Sequence, residues 1–156
     1  MKFNKVKGME DFYPEDQSVK LQVFKVLRET AVRFGFQEVE APALESASLL
    51  TAKSGDEIKE QLFVLEKRST EELALRFDLT VPFTRMFVAK QRELAKGTKW
   101  FGLSRMWRYE APQKGRAREF YQLSAELFGC DNAQAVAECI NLQIACLKNL
   151  GLSADD

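Results

Sequence analysis

The sequence predicts an α+β fold: an antiparallel sheet flanked by helices. Residues 99–110 and 118–128 are two long stretches of alternating character on either side of a polar loop, the pattern of a β-hairpin. Residues 14–34 repeat apolar side chains at helical spacing, and a second helical stretch closes the chain. Strands grouped in long hairpins, with helices around them, belong to the α+β class.

Each element has a local reason. Val19, Val23, Val26 or Leu27, Ala31 and Phe34 form one helical stripe, with Pro14 suited to the first turn and Gly35 to the stop. Residues 37–41 read as a short strand, 46–53 as a short helix and Ser54-Gly55-Asp56 as a loop. Residues 62–65 and 73–76 read as paired strands around a polar turn at 67–71. Thr80 can cap a helix with Pro82 in its first turn, running to about Ala95, with Gly97 just beyond. Asp131 or Asn132 can cap a last helix to about Asn149, followed by Gly151. There is no internal repeat, low-complexity tract or interior linker.

Composition narrows the function classes. The 156 residues carry 23 basic and 23 acidic side chains, so no global field draws the chain to nucleic acid or membrane and any such contact must be local. No apolar run approaches the length of a membrane span, and the N-terminus lacks a secretory core. Three cysteines without a CxxC pair, in a chain with no histidine, leave no plausible zinc set, and no resident metal is expected. Cys139 and Cys146, seven apart on one helix face, are expected to pack as small core residues in a reduced, cytoplasmic setting.

The hairpin is the most informative segment. Arg108 and Glu110 share one face of the incoming strand, and Phe120, Gln122, Ser124 and Glu126 share one face of the returning strand. Folding back through residues 111–117 brings an arginine, two carboxylates, an amide and a flat ring onto one patch, with Lys114, Arg116 and Arg118 above it. The other face carries Trp107, Tyr109, Tyr121, Leu123 and Leu127. A solvated polar face of an ordinary hairpin is the plain alternative. An aromatic ring set among carboxylates and amides raises the nucleotide reading to equal weight with it, and the pattern alone leaves both open.

Arg108-Tyr109-Glu110-Ala111-Pro112-Gln113-Lys114-Gly115-Arg116-Ala117-Arg118-Glu119-Phe120-Tyr121-Gln122 closely resembles motif 2 of the class II aminoacyl-tRNA synthetases, in the histidyl-tRNA synthetase version. Lys7-Gly8-Met9-Glu10-Asp11-Phe12-Tyr13-Pro14 is similar to that family's N-terminal signature, and residues 35–45, with Pro42, to motif 1. Leu75-Arg76-Phe77-Asp78-Leu79-Thr80-Val81-Pro82 resembles its amino-acid-binding segment. The four matches keep the family's order from Lys7 to Gly129.

The resemblance implies activation of L-histidine with ATP and magnesium to histidyl-adenylate, and transfer to tRNA(His). Arg108 would hold both the ATP α-phosphate and the histidine carboxylate as the catalytic residue; an ion pair with Glu110 or Glu126 is the structural alternative. Glu110 would accept from the adenine amino group, Phe120 would stack on adenine, and Arg116 would meet the terminal phosphates. Asp78, Thr80 and Gln122 would address the histidine amino group. Glu126 would address a ring nitrogen, or else pair with Arg76 or Arg108. Asp78 stands where many relatives have glutamate followed by glycine, which changes reach. Gln113 would read a base near the acceptor end, with Lys114 and Arg118 as phosphate contacts; Ala111 stands where relatives often carry a basic residue. Pro42 belongs to the family's dimer interface or is an ordinary turn proline.

Motif 3, the histidine-specific segment and an anticodon-binding domain are not found after Gly129. Residues 1–156 therefore read as one domain, the N-terminal portion of a class II synthetase catalytic domain, weakly active or inactive alone. Two alternatives stand beside it: a histidine-sensing, synthetase-like regulatory subunit of ATP phosphoribosyltransferase, and a synthetase-like tRNA-binding domain. The complete set Arg108, Glu110, Arg116 and Phe120 favours the synthetase.

Overall fold

The computed structural model describes residues 3–52, 57–66 and 70–155 and has the expected α+β architecture. It divides into two compact units, one of Met1–Asp11, Ala41–Met86 and Ser104–Gln122, the other of Phe12–Glu40, Phe87–Leu103 and Leu123–Asp156.

The second unit opens with α1, Pro14–Arg33. Pro14 occupies the first turn, where its missing N–H costs nothing, and Glu15 and Asp16 complement the positive helix end. Gly35, at φ +80°, turns the chain out of the helix. The Phe36 N–H then bonds back to the Ala31 carbonyl at 3.1 Å and sends the Phe36 ring inward. Gln37–Glu38 form β1, paired parallel with Trp100 and Phe101 of β4, Thr98–Trp107. The last helix, α5, spans Ala133–Asn149, and the Asn132 side chain caps it by accepting from the Ala135 N–H at 2.9 Å. Ala31, Phe36, Phe101, Leu142 and Cys146 form the core of this unit, with Leu123, Ala125 and Cys139 packed against it. Cys139 and Cys146 thus pack as small apolar residues, and burial raises the pKa of both thiols. Nearby, Phe87 and Phe128 stack at 4.4 Å, with Trp100 edge-on to both.

The first unit holds β2 (Leu44–Ser46), α2 (Ala47–Thr51), α3 (Glu57–Gln61) and β3 (Leu73–Leu75). Strands β2 and β3 pair antiparallel, Glu45 opposite Ala74. Ala47, Leu50, Leu62, Ala74 and Phe77 form its core. Arg76 is buried among backbone carbonyls: its guanidinium donates to Ala41, to Pro42 at 3.2 Å and, through Nε, to Arg105 at 3.2 Å. A buried arginine is tolerable because those bonds satisfy its donors. Helix α4, Thr80–Lys90, follows, and Arg85 on it pairs with the buried carboxylate of Glu45.

Strand β5, Glu119–Phe128, lies beside β4, giving the order β1-β4-β5. Bonds from Arg108 N–H to Arg118 O (2.9 Å) and from Gly97 N–H to Phe128 O (2.9 Å) close the β4–β5 hairpin at its two ends.

Several local expectations are corrected. The sheet is mixed rather than wholly antiparallel, because β1 runs parallel to β4. The strand expected over 37–41 stops at Glu38, with one further bond from the Val39 N–H to the Phe101 carbonyl at 2.9 Å, and the carbonyls of Ala41 and Pro42 are taken by Arg76. The strand expected over 62–65 reduces to one bridge, Val64 to Ala74, on the side of β3 away from β2. Helix α4 ends at Lys90 rather than near Ala95, where exposed polar residues offer no face to bury. Asp78 Oδ1 accepts from the Thr80 N–H at 3.0 Å where the helix begins. Strand β4 ends at Trp107 instead of Glu110, because the Glu110 N–H turns back to the Arg108 carbonyl at 2.9 Å instead of meeting β5. Lys53, the loop at 54–56 and part of the turn at 67–71 lie outside the described residues.

Candidate active site on the hairpin

The hairpin's two faces separate as the alternation demands. On one face Arg105 Nε donates to the Tyr121 hydroxyl at 2.6 Å, Arg105 Nη1 lies 3.2 Å from Glu119, and Trp107 Nε1 donates to Glu119 at 2.8 Å. The Tyr121 bond and the Glu119 charge keep Arg105 firmly protonated. On the opposite face the Arg108 guanidinium lies 5.2 Å from the Phe120 ring centre. One strand pair therefore braces itself behind while presenting a cation and a ring in front.

The front opens into a cavity of about 390 Å³ lined by Arg108, Glu110, Gly115, Arg116, Ala117, Phe120 and Tyr121. Among the described residues the Arg108 guanidinium makes no ion pair, and its one hydrogen bond is a long contact of 3.4 Å from Nε to the Phe77 carbonyl. Its two Nη atoms are left available for an anion. Arg116 Nη1 lies 3.2 Å from Glu110 Oε2. A cavity of about 450 Å³ beside α2 is larger, but its lining of Ser46, Ser48, Thr51, Lys59, Leu62 and Glu72 offers neither an aromatic ring nor a guanidinium fork.

The loop is a small hairpin of its own. Gln113 and Arg116 exchange both backbone bonds, at 3.1 and 2.9 Å, around Lys114-Gly115. Gly115 has φ +79°, the value the third residue of such a turn requires. Gln113 and Lys114 are exposed at the tip. Arg118 sits at the base, where Nε donates to the Glu110 carbonyl at 3.0 Å and the guanidinium lies 4.0 Å from the Tyr109 ring centre.

Asp78 and Thr80 follow closely on Phe77, whose carbonyl meets Arg108, so the segment 75–82 reaches the same arginine. One Asp78 oxygen is engaged by the Thr80 N–H. Gln122 is half-buried, two residues beyond Phe120 on β5. Glu126 lies on the same strand within the second unit and is half-buried there.

A family model described as histidyl-tRNA synthetase matches residues 8–155, which include every residue of this cavity. The chain belongs to the histidyl-tRNA synthetase family. The histidine–tRNA ligase of Haloarcula marismortui is 42% identical over 154 residues, which is 99% of this chain and 35% of that protein. That of Opitutus terrae is also 42% identical over 154 residues, with the same two shares. The chain thus spans about a third of the length of these histidyl-tRNA synthetase relatives. Among solved structures, an ATP phosphoribosyltransferase regulatory subunit/histidyl-tRNA synthetase from Bacillus halodurans is 32% identical with a TM-score of 0.88, covering 98% of this chain and 39% of that one. The apo histidyl-tRNA synthetase of S. aureus, 20% identical with a TM-score of 0.81 over 97% of this chain and 36% of that one, shares the fold.

Sequence reasoning missed the supports rather than the lining. Nothing in the pattern revealed that Tyr109 would lie between Arg118 and Phe63, whose ring is 5.2 Å away edge-on. Gly8 beside the loop base was equally hidden, although Lys7-Gly8-Met9 was a recognisable signature.

Proposed function

We propose that this chain is the ATP- and histidine-binding N-terminal portion of a histidyl-tRNA synthetase catalytic domain. The whole protein would join L-histidine to ATP as histidyl-adenylate and pass the histidyl group to tRNA(His). The observation that carries this reading is the gathering of Arg108, Glu110, Arg116 and Phe120 around one cavity.

In the first step a histidine carboxylate oxygen attacks the α-phosphorus, the bond to the bridging oxygen breaks, and pyrophosphate leaves with its electron pair. Two anions meet and charge grows at phosphorus, so fixed cations stabilise the transition state. Arg108 can span both anions with its planar fork, a geometry that lysine lacks. Phe120 would carry the adenine ring, with the Glu110 carboxylate accepting from the exocyclic amine. Arg116, 64% exposed at its side chain, has the freedom to follow a departing pyrophosphate. Magnesium would travel with the ATP phosphates and screen their charge.

Asp78, Thr80 and Gln122 would receive the histidine ammonium, and Glu126 an imidazole N–H. Gln113 and Lys114, at the loop tip, would meet the acceptor end of the tRNA, with Arg118 adding from the base whatever donors its bond to Glu110 leaves. The whole protein would be a homodimer through the segment around Pro42.

The test is calorimetric titration of the purified chain with magnesium-ATP and, separately, with L-histidine. ATP binding that disappears in Arg108→Ala supports the reading; ATP binding that survives the substitution contradicts it. A second reading, a histidine-sensing regulatory subunit, draws support from the double description of the 32% identical Bacillus halodurans protein. Histidine binding without ATP binding would favour it.

A further inference from the structure

Residue 8 is built into the base of a loop more than a hundred positions away. The Gly8 carbonyl accepts two backbone N–H groups, from Arg118 at 2.7 Å and Glu119 at 3.2 Å. The residue has φ +83°, which glycine adopts freely and other L-residues do not. Its Cα fits so closely that an added Cβ would lie 2.8 Å from Arg118 Cγ, and 3.0 Å from both Arg118 Cβ and Pro112 Cγ. Pro112 and Arg118 are the two limbs of the loop. Arg118 completes the tie by donating to the Glu110 carbonyl at 3.0 Å. One carbonyl and one guanidinium therefore hold the backbone on each side of the cavity. Glu110 is itself tied, and Phe120 follows the tied residue Glu119.

We propose that Gly8 is a positioning residue of the nucleotide site, acting through Arg118 to set Glu110 against Phe120. This rests on the nucleotide reading above. The two side chains that the clamp sets are those assigned to the adenine ring, whereas Arg116 rides at the loop tip. Loosening the clamp therefore weakens recognition of the base, and adenosine and ATP lose affinity together. Removing Arg116 weakens ATP and spares adenosine. A merely structural glycine would not produce that split.

The experiment compares the chain with Gly8→Ala and, as a variant that leaves the glycine backbone intact, Arg118→Met. Each is titrated with adenosine and with magnesium-ATP, and amide hydrogen exchange is followed by mass spectrometry. The expected result is a parallel loss of roughly tenfold for both ligands in both variants, with faster exchange confined to residues 108–119. Unchanged affinities, or faster exchange spread equally into α1 and α5, would overturn the proposal while leaving the nucleotide reading in place. An unsubstituted chain that binds neither adenosine nor ATP would overturn the nucleotide reading, and this proposal with it.

Discussion

Arg116 Nη1 lies 3.2 Å from Glu110 Oε2 in the hairpin cavity, so the two charges assigned to opposite ends of a nucleotide are paired with each other. A base that takes Glu110 and a phosphate that takes Arg116 must separate them. The cost is small, because an ion pair this exposed contributes about 1 kcal/mol or less. Arg116→Ala should therefore leave the melting temperature nearly unchanged. It should weaken magnesium-ATP by about tenfold without altering adenosine affinity. Calorimetry with both ligands and a thermal melt check this. Equal losses for adenosine and ATP would move Arg116 from the phosphates to the base.

Arg108 stands differently, with a ring beneath it and a long bond to the Phe77 carbonyl as its hydrogen-bonded support. Arg108→Ala should abolish measurable ATP binding at a stability cost within about 1 kcal/mol. Arg108→Lys should restore stability but not affinity, because a point charge cannot bridge two anions bidentately. A steep loss of stability in Arg108→Ala would show the arginine to be structural.

Arg76 is the reverse case. It is 3% exposed, and its guanidinium serves the carbonyls of Ala41, Pro42 and Arg105. Arg76→Met should cost about 3 kcal/mol or more, since it strands buried acceptors. Urea unfolding of the purified variant measures it. A change of less than about 1 kcal/mol would mean that water replaces the guanidinium.

The thiols should report the core of the second unit. Cys130 is exposed, Cys139 half-buried and Cys146 buried, so a thiol reagent should label them in that order. Burial raises the Cys146 pKa, which means that the folded state holds its proton more tightly than the unfolded chain. Its contribution to stability is full below the thiol's ordinary value and is lost as pH rises through the higher folded value. Urea midpoints measured across alkaline pH should fall less for Cys146→Ala than for the unsubstituted chain. Identical pH dependence would show that Cys146 titrates normally.

The end of the chain offers a local check. The Asn132 side chain caps α5 through the Ala135 N–H. Asn132→Ala should cost about 1 kcal/mol, and Asn132→Asp should cost little, because a carboxylate also suits the positive helix end. Thermal melts of the two variants decide it; no loss in Asn132→Ala would mean that the cap contributes nothing.

The long periodic elements were legible from sequence. Helix α1, from Pro14 to Arg33, and the alternating β4 and β5 follow from spacing alone, because burial of one face dictates the period. Arg108, Glu110 and Phe120 were also readable from alternation and Arg116 from the family motif, and all four line one cavity. Two short elements were not: β2 has three residues and α3 has five, too few to show a period.

The sequence by itself determined which side chains the site can contain, because residue type and strand parity are properties of the chain. Tertiary structure alone decided what holds them. The parallel placement of β1, the burial of Arg76 among carbonyls and the Gly8 carbonyl at the loop base each join residues that are distant in sequence. Such contacts form only where packing brings an unsatisfied donor to an unsatisfied acceptor, and no local pattern records that meeting.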